Sequence, residues 1–144
     1  MSTFPLRILT PKGIIFDEEV LSLTAPTEKG PLCIEPGYTN IITSISKAGV
    51  LLVVTPTQKR YFAIFGGSLD VSKLEGTSIF TEEINDGYEI DMARAIAARD
   101  RNQDRLDKRP EGIDIVRAKA KLAKALVRIN VKQLSEGLAK DSGF

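Results

Sequence analysis

Short apolar runs alternate with turn residues over residues 6–80 of the chain. The runs are rich in valine, isoleucine, leucine, threonine and phenylalanine, and glycine or proline separates them at short intervals, a pattern that favours strands. Connections this short are typical of antiparallel hairpins in a sandwich or barrel. The pattern predicts nine strands, at residues 6–10, 13–16, 19–25, 32–34, 41–47, 49–55, 59–65, 67–72 and 76–80.

Beyond Gly87 the apolar period changes from two residues to about 3.6, and alanine, arginine, lysine and leucine replace the β-branched residues. We expect two helices, at residues 91–108 and 114–134. Pro110 and Gly112 interrupt the pattern between them, which predicts a tight connector and an antiparallel helical hairpin.

Both predicted helices start with the pattern Ile-Asp-x-x-Arg-Ala. It occupies residues 90–95 at the first helix and residues 113–118 at the second. In each copy the aspartate, Asp91 or Asp114, is a candidate N-cap, because its carboxylate can accept from the free N–H groups of the first helical turn. The fold class is therefore an all-β N-terminal sandwich followed by an α-helical C-terminal hairpin. We expect two small domains, at residues 1–87 and 88–144.

Composition excludes several classes of function. The chain of 144 residues has no histidine, so the usual general base and the usual metal ligand are absent, and we expect no catalytic or metal site. The single cysteine, Cys33, cannot form an internal disulfide and is expected to be a small buried side chain. The longest apolar run, residues 48–54, is too short to span a membrane. The N-terminus lacks the features of a secretory signal.

Charge is distributed unevenly along the chain. Lysine and arginine number 7 against 10 acidic residues up to Gly87, and 13 against 9 after it. Five cations on the second helix follow steps of three and four residues, which predicts one continuous basic stripe. The stripe is either a solvated surface or a docking face for an acidic protein surface or for phosphates. Nucleic acid is not expected, because no aromatic residue interleaves with the cations. Its members are Arg117, Lys121, Lys124, Arg128 and Lys132.

Small side chains dominate the apolar positions of the helices. The first helix offers Ala93, Ile96, Ala97 and Ala98, and such residues bury little area. We therefore expect a weakly held, mobile hairpin. The apolar face expected on the second helix comprises Ile115, Ala118, Leu122, Ala125 and Ile129.

Four segments in this order resemble the epsilon subunit of the bacterial F-type ATP synthase, the counterpart of the mitochondrial delta subunit. They are Leu-Thr-Pro-Lys-Gly-Ile-Ile-Phe at residues 9–16, Ile-Glu-Pro-Gly-Tyr at 34–38, Phe-Gly-Gly-Ser-Leu-Asp-Val at 65–71 and the helix-start pattern at 90–95. The resemblance covers nearly everything between Leu6 and Leu134. At residues 33–40 the chain departs from the family's usual sequence, which affects details of the rotor contact.

The resemblance implies a non-catalytic rotor subunit of the central stalk. The sandwich would link the gamma subunit to the ring of c subunits and so couple ion transport to ATP synthesis. The hairpin would reach the alpha and beta subunits and inhibit ATP hydrolysis. The subunit would lie at the cytoplasmic face of the bacterial plasma membrane, associated with it only through the complex. The alternative is a free-standing nucleotide-sensing or protein-binding module of the same architecture.

The resemblance implies one possible ligand, because in some members of the family the Ile/Leu-Asp-x-x-Arg-Ala motif binds ATP as a regulator. We expect no cofactor that the subunit requires. Asp91 and Arg94 are then either a ligand pair or an ordinary cap with an exposed ion pair. Lys124 replaces the usual arginine and Asn85 replaces a glutamate, so binding is predicted to be weak or absent. The nucleotide-binding residues implied by the resemblance are Ile90, Asp91, Arg94, Ala95, Arg101, Lys124 and Arg128.

Overall fold

The computed structural model describes residues 2–142, with side chains as far as residue 138. The chain divides between Asp86 and Gly87 into two compact units. The first unit is a β-sandwich of ten strands and the second is a pair of helices, so the predicted fold class is confirmed.

The sandwich contains one strand more than the sequence predicted. The strands are β1 Phe4–Thr10, β2 Gly13–Val20, β3 Ser22–Thr27, β4 Gly30–Ile34, β5 Ile41–Ile45, β6 Gly49–Val54, β7 Lys59–Ile64, β8 Gly67–Ser72, β9 Gly76–Phe80 and β10 Ile84–Asp86.

The sheet follows the order β10-β7-β6-β3-β5-β8-β9-β1-β2, and β4 pairs with β3 beside this path. Every pair is antiparallel except β1 with β9. Along most strands alternate residues face an apolar core, as the period of two requires, whereas the last three residues of β7 are all buried. The core includes Leu6, Ile8, Leu23, Leu51, Val53, Phe62, Ile64, Leu69 and Ile79.

Three local predictions in the sandwich were wrong. The single strand predicted at residues 19–25 is interrupted at Leu21, where β2 has ended and β3 has not begun. The strand β10 was missed because three residues are too few to show a period of two. Cys33 is exposed rather than buried, because it alternates along β4 with the core residue Ile34.

Arg60 on β7 connects strands from the two ends of the sheet path. Its guanidinium lies 5.4 Å from the ring centre of Phe16 on β2 and 5.0 Å from that of Phe62. One Nη donates to Asp86 at 2.6 Å, and the other lies 3.9 Å from Glu18. The side chains of Arg60 and Asp86 are only 21% and 20% exposed, so water screens this pair less than a surface pair. We call these residues the Arg60 cluster.

The second unit begins with a short 3₁₀ helix, Gly87–Glu89, and continues with α1 Met92–Lys108 and α2 Ile115–Ser142. Both predicted caps form. Oδ1 of Asp91 accepts from the backbone N–H of Arg94 at 3.2 Å, and Oδ1 of Asp114 accepts from that of Arg117 at 3.0 Å. The helix α2 continues past the predicted end at Leu134, because nothing before Ser142 interrupts it apart from Gly137, which a helix tolerates at a modest cost.

The two helices pack against each other as an antiparallel hairpin. On α2 the expected apolar positions Ala118 and Ala125 are buried. On α1 the buried residues are Ala95 and Asn102, seven residues apart, whereas Ala93 and Ala97 are exposed. Of the apolar face predicted for α1, Ile96 and Ala98 are half-buried, so the prediction was wrong at Ala93 and Ala97 and missed the two fully buried positions.

Replacing Arg60 by alanine should lower the free energy of unfolding by about 2 kcal/mol, because both the cation–π contacts and a partly buried ion pair are lost. Urea denaturation measures the change. Arg7→Ala is the matched control: Arg7 and Asp17 are 3.8 Å apart and both about half exposed, so the expected change is within about 0.5 kcal/mol. Equal effects of the two variants would contradict a special role for Arg60.

Candidate functional site

An open groove of about 630 Å³ lies on the sandwich where three segments meet. The segments are residues 9–11 at the end of β1, 65–67 between β7 and β8, and 80–82 at the end of β9. Leu9, Phe65 and Phe80 make the lining largely apolar, and Phe80 is 48% exposed. An exposed aromatic side chain in a concave apolar surface is typical of a protein-docking site.

The turn of Gly66 and Gly67 shapes this groove. Both residues have positive φ angles, 88° and 128°, and a Cβ on Gly67 would collide with the backbone oxygen of Phe80. The hydroxyl of Thr81 donates to the carbonyl oxygen of Gly66 at 2.7 Å and fixes the turn. The pattern of residues did not predict this groove, and its one signal in the sequence was Phe80 at a strand end.

The helix-start motif has two buried and two exposed members. Ile90 and Ala95 are 8% and 4% exposed, at the N′ and N4 positions that a hydrophobic staple uses. Asp91 and Arg94 are exposed, and one oxygen of Asp91 serves as the cap described above. The structure therefore shows the capping role directly, while the nucleotide-binding role of these residues stays a prediction.

The other predicted nucleotide contacts lie further along the same two helices. Arg101 is exposed and lies seven residues after Arg94, so both project from the same side of α1. Lys124 and Arg128 on α2 are half-buried, and each already makes an interaction within the structure.

The basic stripe differs along its length. The spacing places its five members within an arc of about 80° on α2. Arg117 and Lys121 are exposed, whereas Lys124, Arg128 and Lys132 are half-buried. Nζ of Lys132 donates to the carbonyl oxygen of Tyr88 in the 3₁₀ helix at 3.0 Å. The sequence predicted that the five cations share one side of α2, and it did not predict which of them are exposed and which are half-buried.

The described residues include no group of three or more potential metal ligands close enough to hold an ion. Among the same residues, no helix is both long and apolar enough to cross a membrane.

Two family models match the chain in succession, and their limits follow the two units. A model described as "ATP synthase, Delta/Epsilon chain, beta-sandwich domain" matches residues 3–86. A model described as "ATP synthase, Delta/Epsilon chain, long alpha-helix domain" matches residues 89–133. The fold thus defines a sandwich-plus-hairpin subunit of the delta/epsilon class.

Curated relatives support the same class over nearly the whole length. The ATP synthase epsilon chain of Syntrophomonas wolfei is 37% identical over 134 residues, covering 92% of this chain and 96% of that protein. The ATP synthase epsilon chain of Bacillus velezensis is 32% identical over 131 residues, covering 91% of this chain and 98% of that protein. The chain belongs to the ATP synthase delta/epsilon family. It is therefore a non-catalytic subunit, as the sequence predicted.

Two solved assemblies contain chains of the same fold. A chain of the Euglena gracilis mitochondrial ATP synthase (OSCP/F1/c-ring) superposes with a TM-score of 0.72 at 21% identity, covering 90% of this chain and 79% of that one. A chain of the Tetrahymena thermophila mitochondrial ATP synthase central stalk and c-ring gives a TM-score of 0.60 at 15% identity, covering 89% and 95%. At these identities the likeness concerns the fold alone.

Proposed function

We propose that the chain is a central-stalk subunit of a bacterial F-type ATP synthase, that its sandwich joins the gamma subunit to the c ring, and that its hairpin restrains ATP hydrolysis. Family membership favours this function over a free-standing nucleotide-sensing or protein-binding module. The observation that supports it best is the apolar groove around Phe80, because a sandwich that transmits torque needs a firm protein contact. Such a subunit would lie at the cytoplasmic face of the membrane through the complex.

The hairpin has the properties that a restraining element needs. Its buried seam contains alanines, so the two helices can separate at a small cost in lost burial. Its exposed cations, Arg117 and Lys121, can be attracted by acidic surfaces of the alpha and beta subunits. A two-state element of this kind can inhibit in one state and release in the other.

The first test concerns the groove. Phe80→Ser in the full-length chain should weaken binding to purified gamma subunit at least tenfold, because a partly exposed aromatic anchor is lost from the interface. Surface plasmon resonance or calorimetry measures the affinity. Val116→Ser, which removes an apolar side chain 80% exposed on α2, should bind gamma normally. Unchanged binding of the Phe80 variant would exclude the groove as the gamma contact.

A second test concerns the exposed part of the stripe. Lys121→Glu should raise the ATPase rate of the assembled complex about fivefold at low ionic strength, because an attractive contact becomes repulsive. Lys119→Glu is the matched control: Lys119 is also exposed and lies outside the stripe, so the ATPase rate of the complex with this variant should remain unchanged. Equal rates for both variants would show that net charge matters and the stripe does not.

We also propose that the helix-start motif senses ATP. Asp91 and Arg94 are both exposed at the first turn of α1, where anions are favoured by the helix dipole. Calorimetric titration of ATP, with and without Mg²⁺, should give weak but saturable binding, weak because Lys124 and Asn85 replace the usual residues. Arg94→Ala should abolish this binding, and Arg105→Ala, on the same helix, should retain it. Absence of binding to the unmodified chain would leave Asp91 a helix cap only.

A further inference from the structure

Two buried polar atoms lack a hydrogen-bond partner among the described residues, and both belong to the hairpin. They are Oδ1 of Asn102 on α1 and Oγ of Ser135 on α2. Each residue is 1% exposed. In the sandwich, by contrast, the buried hydroxyls of Thr55 and Thr81 donate to backbone oxygens, at 3.2 Å to Gln58 and 2.7 Å to Gly66.

Only one end of the Asn102 side-chain amide is hydrogen-bonded among the described residues. Its amide nitrogen donates to the carbonyl oxygen of Ala98 at 2.8 Å, one helical turn earlier, which uses one end of the side chain within α1 itself. Its carbonyl oxygen is buried and has no donor among the residues that the structure describes. In water the same oxygen would be hydrogen-bonded, so burying it opposes formation of the packed hairpin.

The position of Asn102 makes the effect specific to helix pairing. Asn102 follows the buried Ala95 by seven residues, so both lie along one seam of α1. The buried seam residues of α2, Ala118 and Ala125, have the same spacing. A single asparagine in such an apolar seam fixes the register of paired helices and lowers their stability.

We propose that Asn102 is a built-in destabilising residue that keeps the closed hairpin close to its opening equilibrium, with Ser135 acting in the same direction. The small residues of the seam bury little apolar surface and so stabilise the closed hairpin only weakly. The two buried oxygens without partners among the described residues lower its stability further. A modest difference in binding energy from a partner or ligand then suffices to shift the population. That the opening regulates hydrolysis rests on the proposed function above, whereas the destabilisation itself does not.

The test replaces the amide with its apolar isostere in the full-length chain. Leucine branches at Cγ like asparagine, so Asn102→Leu keeps the shape and removes the buried oxygen. Amide hydrogen exchange of α1 and α2 should slow about tenfold, the equivalent of about 1.4 kcal/mol for one unsatisfied group. The matched control is Asn130→Leu, the same substitution at an exposed position of α2. Slowing no greater than in the control would overturn the proposal.

Ser135→Ala provides a second variant in case the leucine fits poorly and circular dichroism shows loss of helix. It removes the hydroxyl and adds no volume, and Asn130→Ala controls for the gain in helix propensity. Protection of α2 should rise severalfold above that control. If Asn102→Leu loses helix and Ser135→Ala exchanges no more slowly than Asn130→Ala, the proposal fails.

Assembly into the complex separates this inference from the proposed function. Variants with slowed exchange should raise the ATPase rate of the complex, because a hairpin held closed inhibits less. Slowed exchange with an unchanged ATPase rate would support the destabilising role of Asn102 and contradict inhibition by the hairpin. Unchanged exchange would overturn the role of Asn102 whatever the ATPase rate.

Discussion

Apolar burial is distributed unequally between the two units, and the behaviour of each unit depends on this difference. Among the described residues, ten of the twelve largest fully buried side chains belong to the sandwich. The other two are Val131 and Asn102, and the latter is polar. At about 25 cal/mol per Å² of buried apolar surface, the sandwich gains far more than the helices. One chain thus combines a firmly packed unit suited to a fixed contact with a weakly packed one suited to conformational change.

Polar contacts around Arg60 stabilise the sandwich in addition to its apolar core. The Arg60 cluster joins β2, at one end of the sheet path, to β10 and its neighbour β7 at the other end. These side-chain contacts hold together strands that no backbone ladder pairs directly. Because Asp86 is the last residue of the sandwich, the same ion pair also fixes where the chain leaves it. The sequence contained all these residues but gave no signal of their convergence, because they are up to 70 positions apart.

Features that depend on local sequence could be predicted, and features that depend on packing could not. Turn residues predicted nine of the ten strands, and the repeated aspartates predicted both helix starts, because turns and caps are determined within a few residues. The exposure of Cys33, the seam through Ala95 and Asn102, and the groove at Phe80 depend on the partner that each face meets. The difference between the exposed and the half-buried members of the basic stripe could not be predicted either. It depends on contacts such as that of Lys132 with Tyr88, which helical spacing does not reveal.

The two roles considered for Asp91 are chemically compatible. The cap uses one carboxylate oxygen as acceptor for the N–H of Arg94, and a carboxylate has further acceptor sites. A nucleotide that contacted Arg94 on α1 and Arg128 on α2 would bind only while the two helices are paired. By linkage, it would then stabilise the closed hairpin by RT ln(1 + [ATP]/Kd). Asn102 opposes the same closure at all times. Because Asn102 lowers the stability of the closed hairpin, a modest stabilisation by ATP would be enough to change the populations of the closed and open states, and the hairpin would then respond to the ATP concentration.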